Sequence, residues 1–246
     1  MRQLNSSILN AKPLDFSQFP IRKNLPLIHK INSTYDITNF DNQKCFDLAK
    51  KIMRRDSDFR LSTGQTADES KIWQQAISLT AEYPAYDYLT KKFPDRMVSP
   101  PDHHYYRKSE LGCKPDLSIL IGEEAVSVSV KTCVKPYTTD YHTERVYPGL
   151  LEDLPTEFET DEYIYYPCQN YHTKSNPHEL VILCRYDEDW QTGQETITLK
   201  WSVNSKVLKP FYIWSHRQRH LMVVQEKDIQ WIYDNQDQVK DFITYK

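Results

Sequence analysis

The sequence has few glycines and no long apolar stretch. Only five of its 246 residues are glycine, and none belongs to a glycine-rich loop of the kind that binds phosphates in P-loop enzymes. No apolar run approaches the roughly 18 residues that a membrane-spanning helix needs, and no secretory signal pattern is present. We therefore expect a cytoplasmic protein without membrane segments, and we do not expect nucleotide hydrolysis of the P-loop type.

Paired cysteines are also missing. The five cysteines are far apart in the sequence, and no two of them form a C-x-x-C pair: Cys45, Cys113, Cys133, Cys168 and Cys184. This spacing predicts neither a zinc site nor a disulfide framework. It is typical of a protein whose thiols stay reduced.

An excess of positive charge is absent as well. Lysine and arginine total 31 against 34 aspartate and glutamate residues, which gives a formal net charge of -3. Proteins that coat nucleic acid without selectivity are usually basic, because neutralising phosphates supplies their affinity. The composition excludes that class. It is compatible with an enzyme that has a local basic cleft, since net charge does not describe one cleft.

The apolar pattern predicts helices first, then strands, then a closing helix. Residues 1–40 contain several prolines and are interpreted as an N-terminal arm or irregular lead-in. Helices are predicted over 41–55, from 66 to beyond 81, over 86–93 and over 227–243, and strands over 116–121, 125–132, 180–186, 196–203 and 211–215. Residues 94–114 are predicted to be a loop, and 137–178 an insertion. This order predicts an α/β (α+β) fold with a mixed central sheet flanked by helices.

Two of these strands form a predicted hairpin whose faces differ sharply. Gly122 and Glu123 fit a two-residue type II′ turn, which favours glycine at its first central position. In that register one face carries apolar residues alone, and the other carries mostly small and polar ones: Leu117, Ile119, Ile121, Val126, Val128 and Val130 against Asp116, Ser118, Leu120, Ala125, Ser127, Ser129 and Lys131. A slip of one residue would exchange the two faces, so the register is well specified.

Asp116 and Lys131 are diagonal neighbours in this hairpin, roughly 7 Å apart at the backbone. One interpretation is a surface ion pair, since an antiparallel sheet often has one solvated face. However, such a face usually carries long polar side chains, whereas this one is small apart from its acid and its lysine. Both lie at the open end of the hairpin, where a sheet can meet a ligand. The pattern therefore favours a functional site.

Pro115-Asp116, the short hairpin and Ser129-Val130-Lys131 resemble the motif of the PD-(D/E)xK nuclease superfamily, which includes many type II restriction endonucleases. The resemblance implies a restriction-endonuclease-like core within a single nuclease-like catalytic domain, residues 41–246. It also implies hydrolysis of DNA phosphodiester bonds with Mg²⁺, which carboxylate oxygens suit. Asp116 would be a metal ligand, and Lys131 would orient the attacking water or stabilise charge on the phosphate.

The sequence departs from this motif at one position. The second acid of the family's motif would fall at position 129, where this chain has Ser129. Some restriction enzymes of the superfamily also have serine there and recruit a glutamate from further downstream, for which Glu144 is the nearest candidate. Alternatively the acid comes from upstream, where the chain offers Glu82, Glu69 and Glu110. A third alternative is a site that has lost activity and only binds.

Four basic residues and one tyrosine outside the hairpin are candidates for contacts with nucleic acid. Lys135, Tyr137 and Arg145 follow the lysine-bearing strand closely, while Arg217 and Arg219 lie in a His/Arg cluster that fits phosphates or guanine edges. The alternative for that cluster is a solvated turn with ordinary surface charge.

Two adjacent histidines precede the hairpin. In the sequence Asp102-His103-His104 either imidazole could ligate a metal or act as a general base, but no partner at a diagnostic spacing accompanies them.

Three hypotheses about function follow. The first is a Mg²⁺-dependent restriction endonuclease that cuts double-stranded DNA as a homodimer, because symmetric cleavage of a duplex calls for two active sites related by two-fold symmetry. The second is a catalytically inactive nucleic-acid-binding protein on the same scaffold. The third is a nuclease that acts on RNA or on structured DNA.

Overall fold

A mixed sheet of seven strands organises the fold. The computed structural model describes residues 1–20, 22, 25–61, 69–103, 115–133, 145–146, 166–167, 180–205, 212–214, 220–221, 223–224 and 226–237. The strands of the large sheet are β1 (Arg2–Gln3), β2 (Ile28–Asp36), β3 (Met97–Ser99), β4 (Leu117–Ile121), β5 (Glu124–Cys133), β8 (Leu180–Asp189) and β9 (Gln194–Asn204). They lie in the order β1-β2-β9-β8-β5-β4-β3, with parallel pairs at β1–β2 and β5–β8 and antiparallel pairs elsewhere.

Short strands and helices complete the described part of the chain. β6 (Arg145–Val146), β10 (Tyr212–Trp214) and β11 (His220–Leu221) form a three-stranded sheet, and β7 (Tyr166–Pro167) pairs with β12 (Val223–Val224). The α-helices are α1 (Gln43–Leu61), α2 (Glu69–Thr80), α3 (Glu82–Lys92) and α4 (Glu226–Asp234), and Ser6–Asn10 forms a 3₁₀ helix. The predicted mixed α/β class is confirmed, and most of the predicted insertion lies outside the described residues.

The predicted hairpin is confirmed in its register. Ile121 pairs with Glu124 and Leu117 with Val128, so the chain reverses at Gly122 and Glu123. Gly122 has φ +63°, while Glu123 does not have a positive φ. A type II′ turn needs a positive φ at its first central residue alone, which matches this pattern.

The apolar face of the hairpin contributes to the main core. Every predicted member of that face is buried in the core or packs against it, together with apolar side chains of α1, α2 and α3. The opposite face is less open than its composition suggests. At its turn end Leu120 and Ala125 are buried beneath Phe16 and Phe19 of the N-terminal segment. The same segment pairs its backbone with Ala125, whose N–H donates to Pro20 O at 2.8 Å.

Helix α4 packs on the other side of the sheet. Leu183 pairs with Trp201, but Cys184 pairs with Leu199, so β9 has one extra residue at this register shift. Because consecutive residues of β8 face opposite sides, the shift places Leu199 in the core with α1–α3 and Trp201 on the opposite face. There Trp201 Nε1 donates to Glu226 Oε1 of α4 at 2.8 Å. Helices therefore cover both faces of the sheet.

Helices α2 and α3 are separated by a break that a proline explains. One helix was predicted from residue 66 to beyond 81, and another over 86–93. In the structure α2 ends at Thr80, and α3 begins at Glu82, four residues earlier than predicted. Pro84 cannot donate a backbone hydrogen bond, and its ring clashes with the carbonyl four residues before it, that of Thr80. The break makes Glu82 the first residue of a new helix.

Two segments predicted as irregular form strands. The lead-in contributes β1 and β2, and the predicted loop 94–114 contains β3. The sequence of β2 does not show the strict alternation that predicts a strand, because its register shifts between Lys30 and Ser33. Asn32, within this shift, has φ +50°. Such a bulge interrupts the alternation of side chains on which strand prediction depends.

Within the described ranges, no helix combines the length and the apolar character that crossing a membrane requires.

Replacing Gly122 with alanine should destabilise the protein through the backbone alone. A Cβ at this position would meet no atom within 4 Å, so no steric clash is expected. An L-residue with this positive φ costs about 1–2 kcal/mol. We expect urea denaturation to show a loss of that size in the free energy of unfolding of Gly122→Ala. The control is Glu123→Ala in the same turn, which should stay within about 0.5 kcal/mol of the native chain; equal losses in both variants would contradict the turn assignment.

Candidate active site

The carboxylate of Asp116 takes the place of a missing backbone partner. Strand β4 begins at Leu117, which pairs with Val128, so β5 continues beyond the ladder that β4 provides. The backbone N–H of Val130 donates instead to Asp116 Oδ2 at 2.7 Å. Because a buried N–H without an acceptor is costly, this hydrogen bond holds the Asp116 side chain against the end of β5.

Ser129 lies beside the same carboxylate oxygen. Its hydroxyl donates to Asp116 Oδ2 at 3.0 Å, and the residue is 1% exposed. Oδ2 therefore accepts two hydrogen bonds from β5, which leaves Oδ1 as the oxygen that can face a ligand. In this position Ser129 orients the acid and does not replace one.

Lys131 lies on the same side of the hairpin, as predicted. Its Nζ is 3.8 Å from Asp116 Oδ2, and the two side chains are 27% and 28% exposed. An ion pair this long and this accessible contributes little to stability, in the range of about 0–1 kcal/mol. The ammonium can therefore turn to an anionic ligand at small energetic cost.

Glu82, on α3, interacts electrostatically with this pair. Its carboxylate is buried, and burial is the largest influence on its pKa, which rises to about 7 despite the opposing hydrogen bond and charge of His103. The charge of Asp116 raises this pKa further and that of Lys131 lowers it. Glu82 therefore responds to the charges of both residues.

A histidine holds Glu82 from the loop after β3. His103 Nε2 lies 3.0 Å from Glu82 Oε2, and His103 Nδ1 lies 3.1 Å from Tyr83 Oη and 3.8 Å from Cys45 Sγ. Burial alone would lower the pKa of His103, but its hydrogen bonds with Cys45 and Glu82 outweigh that effect and raise the pKa to about 10. We call these four residues the Glu82 cluster.

The structure brings together some of the predicted site residues. Asp116, Ser129 and Lys131 meet at the open end of the hairpin, and the charges of Asp116 and Lys131 affect the pKa of Glu82. Others cannot be compared, because they lie outside the described residues: Glu144, Lys135, Tyr137, Arg217 and Arg219, together with the upstream alternative Glu110.

Two further predicted residues lie in described helices or strands. Arg145 begins β6, which pairs with β10 in the three-stranded sheet. Glu69 is the first residue of α2.

Sequence reasoning missed the partners of His103. Cys45 and Glu82 are 58 and 21 residues from it in the chain, and no linear spacing connects them. The local signals were the adjacent histidines and the prolines before them, which indicate an ordered loop but not what it contacts.

The donor atoms of this site suit a hard cation. Among the described residues, no group of three or more His, Cys, Asp or Glu side chains is arranged to hold a metal ion. Mg²⁺, however, keeps several waters and is often bound by one or two carboxylates together with substrate phosphates. Asp116 provides one carboxylate of this kind, and Glu82 is a second acid whose pKa responds to the charge of Asp116.

The stability of the fold should decrease as pH rises, through Glu82 and His103. Their pKa values are raised in the folded state, from 4.5 to about 7 and from 6.5 to about 10. The folded state then binds more protons than the unfolded state, so the stabilisation is full at low pH. It is lost as pH rises through about 7 for Glu82 and through about 10 for His103.

Urea denaturation between pH 5 and pH 10 measures this effect. The native chain should show a steeper fall in the free energy of unfolding than the double variant Glu82→Gln/His103→Gln, in which neither position titrates. Parallel pH dependence of the two proteins would show that the pair does not carry these shifts.

Comparisons with known proteins return no relative: no protein-family model, no curated protein and no solved structure matches the chain. Any assignment of function to this site therefore depends on its residues and their geometry.

Proposed function

We propose that this protein is a Mg²⁺-dependent endonuclease that hydrolyses DNA phosphodiester bonds, with its active site at Asp116, Lys131 and Glu82. The observation that carries the proposal is an acid held in place beside a lysine. Oδ2 of Asp116 is held by the Val130 N–H and the Ser129 hydroxyl, and the Lys131 ammonium lies 3.8 Å from it. This arrangement supports the resemblance to the PD-(D/E)xK motif.

Two carboxylates would hold the cation in this proposal. Asp116 would bind through Oδ1, since Oδ2 already accepts two hydrogen bonds from β5. Glu82 would supply the acid that Ser129 does not provide. When bound, Mg²⁺ supplies a charge that polarises the phosphate and lowers the pKa of an attacking water.

Lys131 would act on the substrate directly. An ammonium is a compact charge with three donors, which suits a phosphate oxygen on which negative charge develops. Its partial exposure and its loose pairing with Asp116 leave it able to make that contact. The same ammonium can alternatively orient the attacking water through a hydrogen bond.

The surrounding fold supports a restriction-endonuclease-like core. The hairpin of β4 and β5 lies beside the parallel strand β8, and helices cover both faces of the sheet. By the same resemblance we propose double-stranded DNA as the substrate and a homodimer as the active form, because two-fold symmetry matches a duplex cut on both strands.

Serine at position 129 favours one alternative, a protein that binds nucleic acid without cutting it. Its hydroxyl is buried against Asp116 and cannot serve as a carboxylate ligand. In that case the protein would bind DNA but would not cleave it in the presence of Mg²⁺. RNA or structured DNA as substrate is the other alternative, which competition between substrates would distinguish.

Cleavage of supercoiled plasmid DNA with and without Mg²⁺ tests the proposal. We expect nicking or cutting that requires the metal, and loss of about 10²–10³-fold in rate for Asp116→Asn and for Lys131→Met, because each removes a charge from the reacting centre. The controls are Glu123→Gln at the exposed turn and Lys91→Met on α3, which should cleave as the native chain does. Full activity of Asp116→Asn would refute the assignment. DNA binding without cleavage on a broad panel of sequences would favour the alternative.

Removing the hydroxyl of Ser129 should weaken cleavage less than removing the acid does. Ser129→Ala takes one of two hydrogen bonds from Asp116 Oδ2 and leaves the Val130 N–H in place. Groups that orient a metal ligand typically contribute about 10–100-fold to activity or metal affinity. The matched control is Ser127→Ala, two residues earlier on the same strand and face, which should cleave normally. Equal rates for the two variants would show that Ser129 does not orient Asp116.

A further inference from the structure

His103 bridges three parts of the fold next to the acid of α3. We propose that His103 is a positioning residue that holds the Glu82 carboxylate in the geometry with which it completes the cation site of Asp116. This inference rests on the proposed function, because it takes Glu82 as the second carboxylate of that site.

The contact between His103 and Glu82 is short and shielded from water. Nε2 of the imidazole lies 3.0 Å from Oε2, and the two side chains are 11% and 10% exposed. A hydrogen bond to a charged group is strong, and exclusion of water strengthens it. It fixes one oxygen of the carboxylate and leaves Oε1 as the atom that can turn to a cation.

Both ring nitrogens of His103 are already engaged, which argues against a ligand role for the imidazole itself. Nε2 faces Glu82, and Nδ1 lies 3.1 Å from Tyr83 Oη and 3.8 Å from Cys45 Sγ. A metal needs the lone pair of an imidazole nitrogen. Binding a cation through His103 would require one of these contacts to break, whereas positioning Glu82 uses them as they are.

The imidazole is held from three directions. Tyr83 follows Glu82 on α3, and its ring packs edge-on against the imidazole of His103 with 5.1 Å between ring centroids. Cys45 approaches from α1 and is fully buried. The loop that carries His103 follows β3 through Pro100 and Pro101, both buried, and proline restricts the backbone that precedes the histidine. An imidazole fixed in this way can determine the direction of a flexible glutamate side chain.

The structure suggests a pair of substitutions that separates positioning from packing. The amide nitrogen of glutamine can occupy the place of Nε2, whereas that of asparagine reaches only the place of Nδ1. His103→Gln therefore keeps a donor for Glu82, and His103→Asn keeps a polar contact with Tyr83 but loses the one with Glu82. Thermal unfolding of both variants checks that each is folded.

Binding of Mn²⁺ to the whole 246-residue chain, measured by electron paramagnetic resonance, provides a readout that does not depend on cleavage. Mn²⁺ favours the same oxygen ligands as Mg²⁺. We expect His103→Asn to bind Mn²⁺ about 10–100-fold more weakly than the native chain, as for other groups that orient a ligand, and His103→Gln to retain most of the affinity. Adding His103→Asn to Glu82→Gln should cause little further loss, because the two residues act through one contact.

Two outcomes would overturn the inference: equal Mn²⁺ affinity of His103→Gln and His103→Asn, or additive losses in the double variant. Plasmid cleavage assays on the same proteins distinguish failure of the positioning role from failure of the proposed nuclease function. If the native chain binds Mn²⁺ with this dependence on His103 but does not cut DNA, the positioning role stands and the nuclease proposal fails. If the native chain cuts DNA and both His103 variants bind Mn²⁺ and cut as it does, the nuclease proposal stands and the positioning role fails.

Discussion

The hydrogen bond from the Val130 N–H to Asp116 Oδ2 is the constraint on which the candidate site depends. Strand β5 is longer than the ladder it shares with β4, so its backbone reaches beyond the last paired residue, Val128. By accepting this hydrogen bond, the Asp116 carboxylate satisfies a buried N–H donor and is itself held in place. The position of Lys131 then follows from alternation, because it lies on the same face as Ser129, which contacts the same carboxylate.

Structure could be predicted best from the sequence where turn type and side-chain alternation alone determine the conformation. The hairpin could be predicted residue by residue, because a glycine turn sets the register and a period of two sorts the faces. Strand β2 could not, because the bulge at Asn32 shifts its alternation. The start of α3 was missed for a different reason. Its first turn contains Pro84, which is tolerated there since the early N–H groups of a helix have no intrahelical partner.

The Glu82 cluster could not be predicted from the spacing of residues along the sequence. Its members come from α1, from α3 and from the loop after β3, and packing of the helices against the sheet brings them together. Glu82 was one of several upstream acids in the sequence, with nothing to distinguish it from Glu69 or Glu110. Its burial beside His103 and its response to the charges of Asp116 and Lys131 distinguish it in the structure.

The serine at position 129 is consistent with this arrangement of charges. Ser129 is almost fully buried, and its hydroxyl lies 3.0 Å from Asp116 Oδ2. A carboxylate at the same place would set two negative charges side by side in a poorly hydrated position, where one of them would tend to bind a proton. A hydroxyl donates to Asp116 instead. In the proposed cation site, a second acid on a separate helix would be held away from Asp116, with His103 bound to one of its oxygens, so that each carboxylate keeps an oxygen for the shared cation.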